Sequence, residues 1–271
     1  VLASKGATTV AVVIPARNEA ATVGAVVSQI GADLAGLVDE LVVMDSLSDD
    51  GTAEVAAAAG ARVHSVAEVR GDLGVRRGKG EALWKSLFVT TADILVFIDA
   101  DLTEWGTHFV TGLVGPLLAD PTVLLAKGFY DRVLDMGAGV STEGGRVTEL
   151  VARPWLALHR PELAAVVQPL AGEWAIRRTR FERLSVPCGY GVEMATLLDV
   201  HAHDGLDAIA QVDLGRRAHT HQKLHDLSAM AVEVLAAAER RTGSVLPDPV
   251  SLAHLTRDRA GHGATRLTVL D

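Results

Sequence analysis

Residues 10–19 read VAVVIPARNE, a run of apolar, mostly β-branched side chains that meets a proline and continues into polar residues. An unbroken apolar run of this kind is typical of a strand buried on both faces, as in a parallel sheet. Further strands are predicted at residues 40–44 (ELVVM), 62–64 and 93–98 (DILVFI), and helices between them at residues 20–30, 53–59 and 78–90. This alternation predicts an α/β fold with a doubly wound, mostly parallel sheet.

The second half of the chain is less regular. Strands are predicted at residues 166–176 and 208–212, and helices at residues 190–203 and 225–241. We expect the glycine-rich stretch GAGVSTEGG (137–145) to be a mobile loop, and the residues after Thr242 to be a peripheral arm or partly disordered. Because no linker or internal repeat is visible, we expect a single domain over residues 1–271.

Charge and composition exclude several classes of protein. The net charge is −9, from 25 Lys+Arg and 34 Asp+Glu, whereas free-standing nucleic-acid binders carry a basic surface. The single cysteine, Cys188, excludes an intrachain disulfide and a cysteine-only metal site. No stretch approaches the ~20 apolar residues of a membrane span, and no secretory or lipidation signal is visible. We therefore expect a cytoplasmic protein with no nucleic-acid or membrane partner.

Polar segments follow three of the predicted strands. They are Pro15-Ala16-Arg17-Asn18-Glu19, Asp45-Ser46 and Asp99-Ala100-Asp101. Open parallel sheets bind ligands at the carboxyl ends of their strands, so these segments are expected to share one site. The first strand is not followed by G-x-G-x-x-G, and no G-x-x-x-x-G-K-[ST] occurs, which excludes the dinucleotide fingerprint and the P-loop.

The Asp99-Ala100-Asp101 segment is the candidate metal site. Two carboxylates at this spacing can reach one hard cation, and Mg²⁺ or Mn²⁺ keeps positions for substrate phosphates. The alternative is an ordinary loop that caps a helix. Asp45 and Ser46 can hydrogen-bond a base or ribose, although the following residues read as a turn into a capped helix. Glu19 can equally complement the dipole of a helix that begins there.

One basic cluster stands out in this acidic chain. Arg70, Arg76, Arg77 and Lys79 lie close together, and Lys79 is flanked by Gly78 and Gly80. Small residues let the backbone approach a phosphate, with Lys79 as the counter-charge. A solvated charged loop is the alternative interpretation.

These motifs together resemble a known family. V-V-I-P-A-R-N-E, V-V-M-D-S, G-K-G-E-A-L and F-I-D-A-D occur in the order of the nucleotide-sugar half of a GT-A glycosyltransferase of the family 2 type. The distal motifs G-G-R-V-T-E-L-V-A-R-P, Q-P-L-A-G-E, P-C-G-Y-G-V-E and A-I-A-Q-V-D-L-G-R-R-A-H resemble those of actinobacterial glucosyl-3-phosphoglycerate synthases, retaining transferases of family 81. The resemblance runs from about Val10 to His225.

The resemblance implies the activity and the partners. It implies a GT-A (Rossmann-like) fold that transfers glucose from UDP-glucose to the 2-hydroxyl of 3-phosphoglycerate with Mg²⁺ or Mn²⁺, and it favours a homodimer. It divides the single domain into a nucleotide-sugar-binding half (about 8–130), a helical acceptor-binding half (about 131–225), and a C-terminal helix and tail (226–271).

The resemblance also implies roles for particular residues. The nucleotide-sugar site comprises Pro15, Ala16, Asn18, Glu19, Ser46, Lys79, Asp99, Ala100 and the Leu170 backbone. Catalytic roles fall to Asp101, Glu193 and Lys79, and the metal ligands are Asp101 and His219. The acceptor site comprises Gly145, Arg146, Thr148 and His221, of which Arg146 offers a planar fork for the phosphate.

Other functions share parts of this pattern. A different donor or acceptor is open, such as mannosyl-3-phosphoglycerate chemistry or a polyprenyl phosphate acceptor, although the latter calls for a membrane-facing apolar helix. A sugar-nucleotide nucleotidyltransferase would have a glycine-rich basic signature after the first strand. A non-catalytic nucleotide-sugar-binding protein would keep the pocket without metal-dependent turnover.

Overall fold

The computed structural model describes residues 1–135, 140–141, 145–218, 224–257 and 263–270. Its strands are β1 Val10–Ala16, β2 Glu40–Asp45, β3 Arg62–Ser65, β4 Ile94–Phe97, β5 Leu125–Asp135, β6 Val140–Ser141, β7 Trp174–Arg177, β8 Ile209–Ala218, β9 Val250–Arg257 and β10 Gly263–Leu270. Its helices are α1 Leu2–Lys5, α2 Val23–Asp33, α3 Thr52–Ala58, α4 Lys79–Lys85, α5 His108–Ala119, α6 Arg153–His159, α7 Arg178–Phe181, α8 Val192–Asp204 and α9 Leu224–Glu239.

The main sheet has the order β3-β2-β1-β4-β7-β5-β6, and β8 pairs with β5. The pairs β1–β2, β1–β4, β2–β3 and β5–β8 are parallel, whereas β7 runs antiparallel to both β4 and β5. The predicted α/β fold with a doubly wound, mostly parallel sheet is confirmed. The antiparallel β7 joins the two halves of the chain in one sheet.

Side chains of β1 alternate between two cores on opposite faces of the sheet. Val10, Val12 and Ile14 pack with α2 and α5, whereas Ala11 and Val13 pack with α4 and α8. All five are fully buried, which is why this stretch of sequence shows no polar alternation. The helices therefore cover both faces of the sheet.

Several predicted elements differ in extent. The strand predicted at residues 166–176 is wrong over most of its length, because only Trp174–Arg177 joins the sheet. Pro169 cannot donate to a ladder and Gly172 packs against a charged pair, so this stretch turns toward the strand ends instead. The helix predicted at residues 78–90 is α4 followed by a 3₁₀ turn, Ser86–Phe88. The glycine-rich stretch 137–145 lies largely outside the described residues.

The C-terminal region contains a hairpin that the sequence did not predict. Strands β9 and β10 pair antiparallel from Val250↔Leu270 to Arg257↔Gly263. This part of the chain, for which a peripheral arm or a partly disordered tail was expected, thus contains a hairpin that packs on α9. Among the described residues, no helix is long and apolar enough to cross a membrane.

Helix α4 is held by close backbone contact with the segment before α8. The Gly80 N–H donates to the Gly189 carbonyl at 3.2 Å, and the Glu81 N–H donates to the Cys188 carbonyl at 2.9 Å. A Cβ on Gly80 would overlap the carbonyl oxygen of Pro187. Gly80 is therefore required for this approach, which also sets the position of Lys79.

We predict that Gly80→Ala lowers the free energy of unfolding by about 1–3 kcal/mol, because the backbones must separate to admit the methyl group. The matched control is Gly31→Ala in α2, where an added Cβ meets nothing within 4 Å. That change should be neutral or stabilising by up to about 1 kcal/mol. Urea denaturation of both variants checks this, and equal stability of the two would contradict it.

Candidate active site

A cavity of about 720 Å³ opens at the carboxyl ends of the parallel strands. The three polar segments at this edge all reach it, through Pro15, Ala16, Glu19, Ser46, Asp99, Ala100 and Asp101. The facing walls come from α4 and from the second half of the chain, through Lys79, Gly145, Arg146, Thr148, Leu170 and Glu193. One cavity thus brings together most of the residues predicted for the nucleotide sugar and most of those predicted for the acceptor.

Among the described residues of the predicted site, Asn18 does not line the cavity. Its Oδ1 accepts a hydrogen bond from the Asp49 N–H at 3.0 Å, and its own N–H donates to Ser48 Oγ at 3.0 Å. It holds the loop after β2 against the end of β1. His219 and His221 lie outside the described residues, directly beyond β8.

Lys79 lies between two carboxylates from distant parts of the chain. Its Nζ is 2.6 Å from Asp99 Oδ1 and 2.9 Å from Glu193 Oε1. Burial opposes the charge, but the two carboxylates outweigh it and raise the pKa of Lys79 above its ordinary value. A Cβ on Gly172 would collide with this pair, so only glycine fits there. Lys79 therefore fixes Glu193 and Asp99 at one end of the cavity.

Arg217 is the principal residue that sequence reasoning missed. It is 4% exposed near the end of β8, and its Nη2 lies 3.0 Å from Asp99 Oδ2 and 2.9 Å from Asp101 Oδ1. Burial would raise the pKa of Asp99, but Lys79 and Arg217 hold it well below its ordinary range. The available signal was an arginine in a strand, two positions before the predicted metal ligand.

Beneath the cavity lies a second layer of buried ionisable groups. Glu173 is fully buried beside Arg217, and burial raises its pKa to about 7 against the opposing effect of that arginine. Lys127 donates to the Ala171 carbonyl at 3.0 Å, and burial lowers its pKa to about 8. The Asp99–Lys79 pair is thus charged throughout the neutral range, whereas this deeper layer titrates within it.

The environment of Asp101 suits a hard cation. Its carboxylate lines the cavity with the side chain 34% exposed. Burial, and then the charges of Asp101 and Asp99, raise the pKa of Glu19, which lines the same cavity. The described residues contain no group of three or more His, Cys, Asp or Glu that could hold a metal by itself. A cation here would rely on substrate phosphates, as Mg²⁺ and Mn²⁺ sites commonly do.

Part of the cavity is apolar, which the sequence did not indicate. Helix α9 contributes Leu227, Met230 and Val234, and Val66 and Val75 also line the cavity. Glu233 of the same helix accepts a hydrogen bond from the Tyr190 N–H, and burial raises its pKa. The C-terminal helix is therefore part of the site.

An Asp-x-Asp segment at the carboxyl edge of this sheet, over a cavity with a basic facing wall, is the arrangement expected of a GT-A glycosyltransferase. Residues 11–139 match the family model for Glycosyl transferase family 2. Glucosyl-3-phosphoglycerate synthase from Mycobacterium tuberculosis is 50% identical over 250 residues, covering 91% of this chain and 76% of that protein. The synthase from Petrotoga mobilis is 43% identical over 236 residues, covering 86% and 73%.

Solved structures agree with these relatives. The M. tuberculosis enzyme in complex with Mn²⁺, UDP and phosphoglyceric acid has a TM-score of 0.90 at 45% identity, covering 99% of this chain and 89% of that one. Its complex with Mn²⁺, UDP-glucose and phosphoglyceric acid has a TM-score of 0.86 at 46% identity, covering 97% and 88%. The chain belongs to the glucosyl-3-phosphoglycerate synthase family.

The raised pKa of Glu173 predicts a pH-dependent stability difference. A carboxyl group with a folded-state pKa of about 7 and an ordinary value of 4.5 favours folding below pH 4.5 and loses that contribution as pH rises through 7. Glu173→Gln has no such loss. Its free energy of unfolding relative to the unmodified chain should therefore rise by about 2 kcal/mol between pH 5 and pH 8.

Chemical denaturation at pH 5 and pH 8 measures this difference. A stability difference that is the same at both pH values would show that Glu173 does not titrate in this range. Glu81→Gln is the control for a buried carboxylate, because Glu81 pairs with Lys85 at 2.9 Å away from the cavity.

Proposed function

We propose that this chain transfers glucose from UDP-glucose to the 2-hydroxyl of 3-phosphoglycerate, giving glucosyl-3-phosphoglycerate and UDP. The observation that carries the proposal is the single cavity in which the Asp101 edge faces Arg146. The relatives' structures support it, because the M. tuberculosis enzyme is in complex with UDP-glucose and phosphoglyceric acid. Holding donor and acceptor in one cavity lowers the entropic barrier to transfer.

The donor lies along the carboxyl edge of the sheet in this proposal. Pro15 and Ala16 at the end of β1, with Glu19 and Ser46, form the uridine wall, and Asn18 acts by holding the adjoining loop. Asp99 and Ala100 lie beside the ribose and sugar. Lys79, fixed by two ion pairs, supplies positive charge at the donor end of the cavity.

Asp101 and His219 would hold Mg²⁺ or Mn²⁺ in this site. When bound, such a cation neutralises the charge that develops on the departing diphosphate. Asp101 offers a cavity-facing carboxylate oxygen, which matches the preference of these ions. The Mn²⁺ complexes of the M. tuberculosis enzyme support this assignment.

We propose that transfer retains the configuration of the sugar by attack on the same face. The bond between the anomeric carbon and the diphosphate oxygen breaks, and the bond to the acceptor 2-oxygen forms. The departing phosphate oxygen takes the acceptor proton. Glu193 is 5% exposed and its carboxylate is engaged by Lys79, which favours a supporting role beside the glucose over nucleophilic attack. In this proposal the Leu170 backbone lies near the position of transfer. A glycosyl adduct trapped on Glu193 would contradict same-face attack.

The acceptor phosphate lies against Gly145, Arg146 and Thr148 in this proposal. Arg146 offers a bidentate fork to a phosphate, and the neighbouring backbone can approach closely at Gly145. His221 is proposed to contact the acceptor carboxylate.

We also propose the cytoplasm as the compartment, because both substrates are highly charged metabolites. The homodimer stays a prediction of the family resemblance.

The primary test measures UDP release from UDP-glucose in the presence of Mg²⁺ or Mn²⁺ and 3-phosphoglycerate. We expect release that requires both the metal and the acceptor, because charge neutralisation and the acceptor hydroxyl are both needed. Donor binding without acceptor-dependent release would retain the nucleotide-sugar site and reject this acceptor. A screen of GDP-mannose as an alternative donor, and of other phosphorylated compounds as acceptors, would then identify the substrates.

We predict that Arg146→Ala raises the KM for 3-phosphoglycerate about 10- to 100-fold, because a charge-assisted pair of hydrogen bonds is lost. The KM for UDP-glucose should change less than about threefold. Arg153→Ala is the matched control, because Arg153 pairs with Glu149 at 2.9 Å and does not line the cavity. Initial-rate kinetics on both variants measure the two KM values. An unchanged KM for 3-phosphoglycerate in Arg146→Ala would show that Arg146 does not bind the acceptor.

A further inference from the structure

The guanidinium of Arg217 is shared between the cavity and the protein interior. Its Nη2 serves the cavity carboxylates Asp99 and Asp101, at 3.0 and 2.9 Å. Its Nη1 faces inward, 3.0 Å from Glu173 Oε1, 3.2 Å from Glu173 Oε2 and 2.7 Å from the Tyr130 hydroxyl. The two terminal nitrogens of the guanidinium therefore contact different partners, Nη2 at the cavity and Nη1 in the interior.

Glu173 has no access to the cavity itself. It is fully buried, does not line the cavity, and follows Gly172, which does. Its backbone carbonyl accepts a hydrogen bond from the Gly128 N–H at 2.9 Å, which ties it to β5. A buried carboxylate is a weak source of stability, because desolvation offsets the gain from its ion pair. Its position behind Arg217 therefore calls for another explanation.

That explanation lies in competition for Asp101. An unrestrained guanidinium forms bidentate pairs with a carboxylate, so it would occupy the oxygens that a divalent cation needs. Here Glu173 and Tyr130 hold Nη1 in the interior, and Arg217 reaches Asp101 through Nη2 at Oδ1. The charge of Arg217 then balances the charges of Asp99 and Asp101, and the guanidinium does not form a bidentate pair with Asp101.

We propose that Glu173 is a positioning residue, which acts through Arg217 to keep the Asp101 carboxylate available to a divalent cation. This inference rests on the proposed function, in which Asp101 is a metal ligand. Glu173 touches neither substrate nor metal in this account. It sets metal affinity by restraining the neighbouring arginine.

The test compares Glu173→Met with Glu173→Gln. Methionine has a similar volume and accepts no strong hydrogen bond, whereas glutamine keeps an oxygen that can accept from Arg217 Nη1. Mn²⁺ binding in the presence of UDP is followed by the electron paramagnetic resonance signal of free Mn²⁺. Loss of an indirect support of this kind weakens metal binding about 10-fold or more, which we expect for Glu173→Met. Glu173→Gln should stay within about threefold of the unmodified chain, and the KM for 3-phosphoglycerate should not change in either.

Two further variants keep the test decisive. Tyr130→Phe removes only the hydroxyl that also holds Nη1, so a severalfold loss of Mn²⁺ affinity is expected even if Glu173→Met does not fold. Glu81→Met is the matched control, because Glu81 is a buried carboxylate paired with Lys85 outside the cavity. It should alter stability and leave Mn²⁺ binding unchanged.

The outcomes separate the two proposals. Unchanged Mn²⁺ affinity in folded Glu173→Met, or in Tyr130→Phe, would overturn the positioning role while the unmodified chain still transfers glucose. Equal weakening in Glu81→Met would also overturn it, because the effect would then follow from general destabilisation. If the unmodified chain neither binds Mn²⁺ with UDP nor transfers glucose, the proposed function itself fails.

Discussion

The ion pairs of Asp99 join separate segments of this molecule, one near in sequence and one far from it. Lys79 reaches it from α4, 20 positions away, and Arg217 reaches it from β8, 118 positions away. In a poorly solvated setting, removal of one partner leaves a charge uncompensated, which typically costs about 3–5 kcal/mol. The same contacts therefore hold the two halves of the chain together and set the geometry of the cavity.

Close approach of backbone to these charges constrains the surrounding segments. Gly172 leaves room for the Asp99–Lys79 pair, and Gly80 lets α4 lie against the segment before α8. Glycine loses more conformational entropy on folding than other residues do, but at these two positions any side chain would collide with its neighbours. The glycines and the charges thus form one arrangement around Lys79.

Electrostatics divide the site into two layers. The upper layer, at the cavity, contains Asp99 and Lys79, whose shifted pKa values keep both charged across the neutral range. The lower layer contains Glu173 and Lys127, whose pKa values lie near 7 and 8. Arg217 connects the two layers, because it contacts Asp99 and Asp101 at the cavity and Glu173 below it.

Much of this architecture is visible in the sequence. The apolar runs at β1, β2 and β4 identify strands because both of their faces are buried, and the polar residues at their ends mark the ligand edge. The motifs around Lys79, Arg146 and Glu193 identified residues that the fold brings to one cavity. The burial pattern of a strand and the point where the strand ends depend on neighbouring residues, so they can be predicted from a short stretch of sequence.

The tertiary structure alone decided the partners of the charges. Arg217 meets Asp101 because β8 pairs with β5, and Glu173 lies behind Arg217 because β7 enters the sheet between β4 and β5. The apolar wall that α9 contributes to the cavity likewise depends on long-range packing. An isolated arginine or glutamate has no local pattern that names its partner. Its partner and its pKa are set by which strands become neighbours and how far water is excluded from between them.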